Sequence, residues 1–150
     1  MIAQYSYKEI KRIAPQAQIY MWNDMFDPYS NCLPGRYYYM IKGKNSLCES
    51  WHGLPKDIII MRWSPDNVKT KRQALIGSME HWRKLGMKFV EFPGYFDAQQ
   101  FNPHSEGILE LAKKNPACIG AAFAQWGSIN NYKPHFETFI KVVDKVEKQK

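Results

Sequence analysis

Ile19-Tyr-Met-Trp-Asn-Asp-Met-Phe-Asp27 begins as an apolar strand and ends in an indole, an amide and two carboxylates. The first half is apolar over most of its length instead of alternating, which is typical of a strand in a sheet covered on both faces. The polar cluster follows where that strand should end. The fold is predicted from this pattern, in which an apolar run is followed by aromatic and polar side chains.

Three later stretches follow the same order, each ending on an aromatic residue with polar groups beside it. They are Asp57-Ile-Ile-Ile-Met-Arg-Trp63, Met87-Lys-Phe-Val-Glu-Phe-Pro-Gly-Tyr-Phe-Asp97 and Cys118-Ile-Gly-Ala-Ala-Phe-Ala-Gln-Trp126. Parallel strands present their carboxyl ends at one edge of a sheet, and ligands gather there. Four such strand ends predict one shared site.

The stretches between these strands have helical patterns. Ser6 and Glu9 have the spacing of a capping box, which predicts a first helix that begins at Ser6 and ends near Pro15. Ser64 and Pro65 start a second helix, and Gly86 ends it. The predicted strands are 18–25, 58–63, 87–92 and 117–125, and the later helices are 105–114 and one from Pro134 onward.

The predicted order is therefore a helix followed by four β-α units, with a long insertion after the first strand. Such alternation implies an α/β fold with a parallel sheet and right-handed crossovers. Two architectures fit, an open three-layer sandwich or half of a (β/α)8 barrel. No glycine-rich phosphate loop follows the first strand, which disfavours a nucleotide-binding sandwich and any nucleotide cofactor. Residues 1–150 are thus interpreted as one partial barrel domain.

Composition excludes several classes of protein. The chain has 150 residues, 45% of them hydrophobic and 15% aromatic, which indicates a globular domain. No apolar run reaches membrane-spanning length, and the histidines and cysteines lack metal-ligand spacing. Cys32 and Cys48 flank one loop and could either pair in an oxidising compartment or stay reduced. The net charge of +7 is spread over predicted helices and the C-terminal tail, which indicates solvated helix faces more than a nucleic-acid partner.

At its strand ends the sequence resembles the C-terminal half of the catalytic barrel of glycoside hydrolase family 20, the β-N-acetylhexosaminidases. Trp22-Asn-Asp-Met-Phe-Asp27 is similar to the family's Trp-Gln-Glu-Val-Phe-Asp, and the stretch from Leu54 to Trp63 resembles the next strand. Pro93-Gly-Tyr-Phe-Asp97 resembles Pro-Trp-Tyr-Leu-Asn, and Gln125-Trp-Gly127 resembles the Met-Trp-Gly-Glu segment of the last strand.

The resemblance implies a role for each matching residue. Trp22 and Trp126 would line a sugar pocket, Tyr95 would contact the substrate's acetamido group, and Asp97 would stand where the family has a sugar-binding Asn. Ser128 replaces a Glu that binds sugar hydroxyls. The family's catalytic Asp-Glu pair lies on an earlier strand that this chain does not contain, so the hydrolytic reaction would belong to a complete barrel.

The residues themselves favour the same chemistry, because sugar sites combine aromatic faces with carboxylates and amides. The candidate substrate-binding residues are Trp22, Asp24, Trp63, Tyr95, Asp97 and Trp126, with Asn23 and Asp27 as further polar groups. Two alternatives stay open: the tryptophans are core residues at strand ends, or the chain is a non-catalytic carbohydrate-binding relative of the barrel. Asp27 before Pro28 is interpreted as a turn former. Glu91 is interpreted as a residue that points into a barrel interior or forms an ion pair there.

A half barrel exposes two strand edges, which natural proteins cover or pair. The predicted partners are therefore a carbohydrate substrate and either a second copy of the chain or the missing N-terminal half of the barrel. No membrane partner is expected.

Overall fold

A computed structural model describes residues 2–30, 32, 47, 49–63, 68–93, 103–124 and 132–149. The helices are α1 (Ile2–Ile13), α2 (Val68–Lys84), α3 (Ser105–Lys113) and α4 (Tyr132–Lys148). The strands are β1 (Tyr20–Trp22), β2 (Ile59–Trp63), β3 (Phe89–Phe92) and β4 (Cys118–Ala121), and a 3₁₀ turn spans Ser50–Gly53.

The four strands form one parallel sheet in the order β1-β2-β3-β4. The predicted α/β class is confirmed, and the arrangement is consistent with half of a (β/α)8 barrel. Strand order follows chain order, so each crossover leads to the adjacent strand. All carboxyl ends of the strands consequently lie at one edge of the sheet.

The core lies between one face of the sheet and helices α2 and α3. Ile60 and Phe89 are opposite each other on β2 and β3, and both are fully buried. They belong to a cluster that α2 and α3 complete with Leu75, Met79, Trp82, Ile108 and Ala112. Trp82 is 0% exposed, so its whole indole lies in the core.

The predicted start of the first helix is wrong. Ser6 lies inside α1, which begins at Ile2, so Ser6 and Glu9 do not form an N-terminal capping box. Ala3 and Tyr7, one helical turn apart, pack against the core and extend the helix toward its N-terminus. Tyr7 also donates its hydroxyl to Asp57 at 2.5 Å, which attaches α1 to the loop before β2.

The end of α2 was predicted correctly. Gly86 has a φ of +72°, a left-handed conformation that glycine adopts without steric cost. The Gly86 amide donates to the Arg83 carbonyl and the Met87 amide donates to the Trp82 carbonyl, the two hydrogen bonds of a Schellman motif. This turn leads the chain directly into β3.

The outer strands are shorter than predicted. β1 ends at Trp22 because Asn23 leaves the strand direction, and the Phe26 amide donates to the Asn23 carbonyl at 2.8 Å to form a turn. β4 ends at Ala121, and the residue that follows, Ala122, still donates its amide to the Glu91 carbonyl. None of the helices in the described part of the chain is long and apolar enough to cross a membrane.

The packing of Tyr29 on α2 gives a first prediction. A Cβ at Gly77 would lie 2.5 Å from the Tyr29 ring, so Gly77→Ala should displace that ring and lose its contact with the helix. In a Tyr29→Ala background the same substitution should instead stabilise the protein by about 0.5–1 kcal/mol, the helix propensity of alanine over glycine. Urea unfolding of the four proteins measures both effects. If Gly77→Ala changed the free energy of unfolding in the same direction in both backgrounds, the expected clash with Tyr29 would be contradicted.

Candidate functional site

Aromatic side chains cluster on one face of the sheet at its carboxyl edge. Trp22 lies opposite Met61, and Trp63 lies opposite Phe92. Since side chains alternate between faces along a strand, these residues share the face opposite the α2–α3 core. The rings of Trp22 and Phe92 meet across β2 with centroids 4.6 Å apart and planes inclined by 56°.

Trp22 and Trp63 are only partly exposed, whereas Phe92 is buried. The two indoles therefore have some surface available to a ligand, and Phe92 supports the Trp22 ring from the sheet side. We name Trp22, Trp63 and Phe92 the aromatic edge. Asp24 lies beside it in the turn after β1 and is partly exposed. The predicted site residues Tyr95, Asp97 and Trp126, and also Ser128, lie outside the described residues.

The opposite face of the same edge carries a buried ion pair. Arg62 and Glu91 are register partners on β2 and β3 and are 1% and 0% exposed. Arg62 Nη1 donates to Glu91 Oε2, Arg62 Nε donates to Ser78 Oγ at 2.9 Å, and Nη2 donates to the Leu75 carbonyl at 3.1 Å. The guanidinium thus joins β3 to α2. The ion pair expected for Glu91 is present, but its expected location is wrong, because the pair faces α2 and not a barrel interior.

Asp27 is the second buried charge of this region. Its Oδ2 accepts hydrogen bonds from Asn23 Nδ2 at 2.8 Å, Ser78 Oγ at 2.5 Å and Trp82 Nε1 at 3.0 Å. Its Oδ1 accepts the Tyr29 amide at 2.8 Å, so Asp27 is also the turn former that its position before Pro28 suggested. Asn23, Asp27, Arg62, Ser78 and Glu91 together form what we call the buried polar network.

Asn23 connects the buried polar network to the aromatic edge. Its Oδ1 accepts the backbone amide of Trp63 at 2.8 Å, and its own backbone amide donates to the Met61 carbonyl at 3.1 Å. Asn23 directly follows Trp22 in the chain. One amide side chain therefore fixes the ends of β1 and β2, and with them the positions of both indoles.

Two polar groups expected at the sugar site are thereby assigned elsewhere. Asn23 and Asp27 are 1% and 0% exposed and are engaged by protein partners, so neither is available to a ligand. Sequence reasoning missed Arg62, Ser78 and the support from Phe92. An arginine inside the apolar run of β2 was the available signal for a buried ion pair, because an unpaired charge there would be costly. Nothing in the sequence indicated Ser78.

The His81 ring lies edge-on to the rings of Trp51 and Trp82. The ring centroids are 4.8 Å apart for Trp51 and 5.0 Å apart for Trp82. Burial lowers the pKa of His81; the negative charge of Asp27 opposes this shift, and His52 and Lys56 add to it. The imidazole is thus held in its neutral form.

The lowered pKa of His81 predicts acid sensitivity. The unfolded chain binds the proton more readily than the folded one, so the contribution of His81 to stability is present above the usual histidine pKa of about 6.5 and is lost as pH falls below it. His81→Phe should make the denaturation midpoint less dependent on pH between about 6.5 and 5. An unchanged pH dependence in His81→Phe would contradict this assignment.

Other parts of the described chain offer less chemistry. An open cleft of about 380 Å³ lies between α3, β4 and α4, lined by apolar residues such as Leu109, Val143 and Val146. Cys118 lies in its wall, and burial raises the pKa of its thiol, so it is protonated near neutral pH. Cys32 is buried, and Cys48 lies outside the described residues, so their pairing stays a prediction. No group of His, Cys, Asp and Glu side chains suited to a metal ion occurs among the residues described.

Comparison of the chain with models of protein families, with curated proteins and with solved structures gave no match.

Proposed function

We propose that this chain is the C-terminal part of a glycoside-hydrolase-like barrel and contributes an aromatic sugar-binding surface for N-acetylhexosaminides or related glycans. One observation carries the proposal: Trp22 and Trp63 lie on the same face at the carboxyl ends of adjacent parallel strands, and both residues are partly exposed. The motif resemblance to family 20 glycoside hydrolases at these strand ends supports it.

The chemistry of the aromatic edge suits a pyranose ring. The C–H bonds of one sugar face pack against an indole, and carboxylates or amides at the margin accept hydrogen bonds from the hydroxyls. The candidate carboxylate among the described residues is Asp24, which is partly exposed and follows Trp22 by two residues. Tyr95, Asp97 and Trp126 would extend the same surface, as their strand-end positions in the sequence predict.

The carboxylates of the buried polar network do not suit hydrolysis. Glycoside hydrolysis needs two carboxyl groups beside the scissile bond, or one acid assisted by the substrate's acetamido group. Asp27 and Glu91 are buried and bonded to protein groups on the opposite face of the sheet. The chain by itself would therefore bind sugar without cleaving it, and hydrolysis would require a complete barrel.

Titration with N-acetylglucosamine oligomers, followed by tryptophan fluorescence and calorimetry, tests the binding surface. Trp22→Ala and Trp63→Ala should each weaken binding about 5- to 10-fold, on the order of 1–1.4 kcal/mol. Trp51→Phe is the matched control, since it removes an indole that packs on His81 away from the aromatic edge. Equal affinity in all three variants, or no saturable binding by the wild-type chain, would refute the proposal.

An assay with a chromogenic N-acetylglucosaminide separates binding from hydrolysis. No turnover is expected from this chain, whether it belongs to a hydrolytic barrel or to the non-catalytic relative that Ser128 favours. Turnover abolished by Tyr95→Phe would contradict the assignment of the catalytic groups to another part of the barrel.

A further inference from the structure

The exposed apolar surface of the described chain is concentrated at the two ends of the sheet. Ten large apolar side chains of the described chain are exposed, and nine of them belong to the first or last strand and helix. At the first end, formed by α1 and β1, they are Ile2, Tyr5, Ile10, Ile13 and Tyr20. At the last end, formed by β4 and α4, they are Ile119, Tyr132, Phe136 and Ile140. The tenth, Tyr29, packs on α2.

The same two ends carry strand edges. In the described part of the chain β1 pairs with β2 alone and β4 pairs with β3 alone. The Ile19 carbonyl and the Asn23 amide bond to β2, so the alternation of a parallel strand directs the amide and carbonyl groups of Tyr20 to the outside. Each end thus combines a strand edge with an apolar helix face.

The exposed area is large enough for a stable interface. A large apolar side chain has roughly 200 Å² of surface, and these nine are on average more than half exposed, so each copy offers on the order of 1,000 Å². Two copies would bury on the order of 2,000 Å² of apolar surface, within the range of stable interfaces. Attraction between opposite net charges does not hold the two ends together, because both terminal helices are net positive. α1 has three basic residues and one acidic residue, and α4 has four basic and three acidic residues.

We propose that the occupant of both ends is a second copy of this chain, with the last end of each copy against the first end of the other. β4 of one copy then extends the sheet in parallel with β1 of the other, and the contact repeats to give a closed ring of eight parallel strands with two-fold symmetry. The face that carries the aromatic edge becomes the interior of that ring. The second copy would take the place that the proposed function leaves to the missing half of the barrel. The inference does not depend on sugar binding, since it rests only on the strand edges and the exposed apolar residues.

Light scattering coupled to gel filtration tests whether two copies form the closed ring. The wild-type chain should have twice the monomer mass of 17.6 kDa at micromolar concentration, and higher salt should not dissociate it. Ile13→Glu at the first end and Ile140→Lys at the last end replace exposed residues, so both variants should fold and yet be monomers. Arg72→Glu, an exposed charge change on α2, should leave the dimer intact.

Mixing the two end variants determines which surfaces meet. Dimers should reappear in the mixture, because one interface is then unaltered and the other brings the introduced Glu and Lys together. A monomeric wild type, an open-ended polymer, or dimers that persist in either variant alone would overturn the proposal, as would a mixture that stays monomeric.

Discussion

Glu91→Gln is expected to destabilise the protein by about 3–5 kcal/mol, because it leaves the Arg62 guanidinium buried without its compensating charge. Arg62 would keep its hydrogen bonds to Ser78 and to the Leu75 carbonyl, but these groups are neutral. Since a domain of this size is stable by about 5–15 kcal/mol, such a loss would leave the variant close to unfolding. Urea denaturation measures the difference.

The control for this prediction is Glu9→Gln. Glu9 forms an exposed pair with Arg12, so its loss should cost less than about 1 kcal/mol. Replacing both members of the buried pair, as Arg62→Met with Glu91→Leu, should recover much of the lost stability because no charge is then left buried. A Glu91→Gln variant as stable as Glu9→Gln would show that the buried pair does not hold β2 and β3 together.

Asp27→Asn is expected to cost about 2–4 kcal/mol, since both carboxylate oxygens accept hydrogen bonds and an amide has only one acceptor oxygen. In one orientation the amide nitrogen would face the donors of Asn23, Ser78 and Trp82, and in the other it would face the backbone amide of Tyr29. Chemical denaturation gives the energy. The indole N–H resonance of Trp82 reports the local change, because that group donates directly to Asp27.

Asp144→Asn is the matched substitution for Asp27→Asn. Asp144 is exposed on α4 and pairs with Lys148, so its loss should change stability by less than about 0.5 kcal/mol. A similarly small effect at position 27, with an unmoved Trp82 resonance, would rule out Asp27 as an organising residue of the buried polar network.

Local patterns in the sequence were sufficient for the strands and for the end of α2. The apolar runs located β2 and β3 to within two residues, and Gly86 marked the turn before β3 because the chain there needs a left-handed residue. The start of α1 could not be read in this way. A capping-box spacing is a weak local preference, and the contacts of Ala3 and Tyr7 with the core outweigh it.

Whether the polar residues after β1 are buried or available to a ligand depends on tertiary contacts, which no local sequence pattern contains. Asn23 and Asp27 look like ligand-binding groups at a strand end, but Ser78 and Trp82 lie more than 50 residues from Asp27 and meet it only because α2 packs on the sheet. The aromatic residues are different. The strand periodicity alone places Trp22 and Trp63 at one edge, and the register confirms that they share a face.

The apolar spacing of α4 illustrates a further limit. Its apolar residues recur at helical spacing, but Phe139 and Val146 are buried whereas Phe136 and Ile140 are exposed. Periodicity identifies the apolar face of a helix but not how much of it the same chain covers.

The agreement between strand order and chain order has a consequence for how the protein folds. Every sheet pairing joins strands that are consecutive in the chain, so no pairing has to wait for a distant segment, and the entropy lost in closing each loop stays modest. Among the described residues, β2 and β3 have neighbours on both sides, whereas β1 and β4 have one neighbour each. Assembly would therefore nucleate on the inner pair and add the outer units, and loosening would begin at β1 and β4.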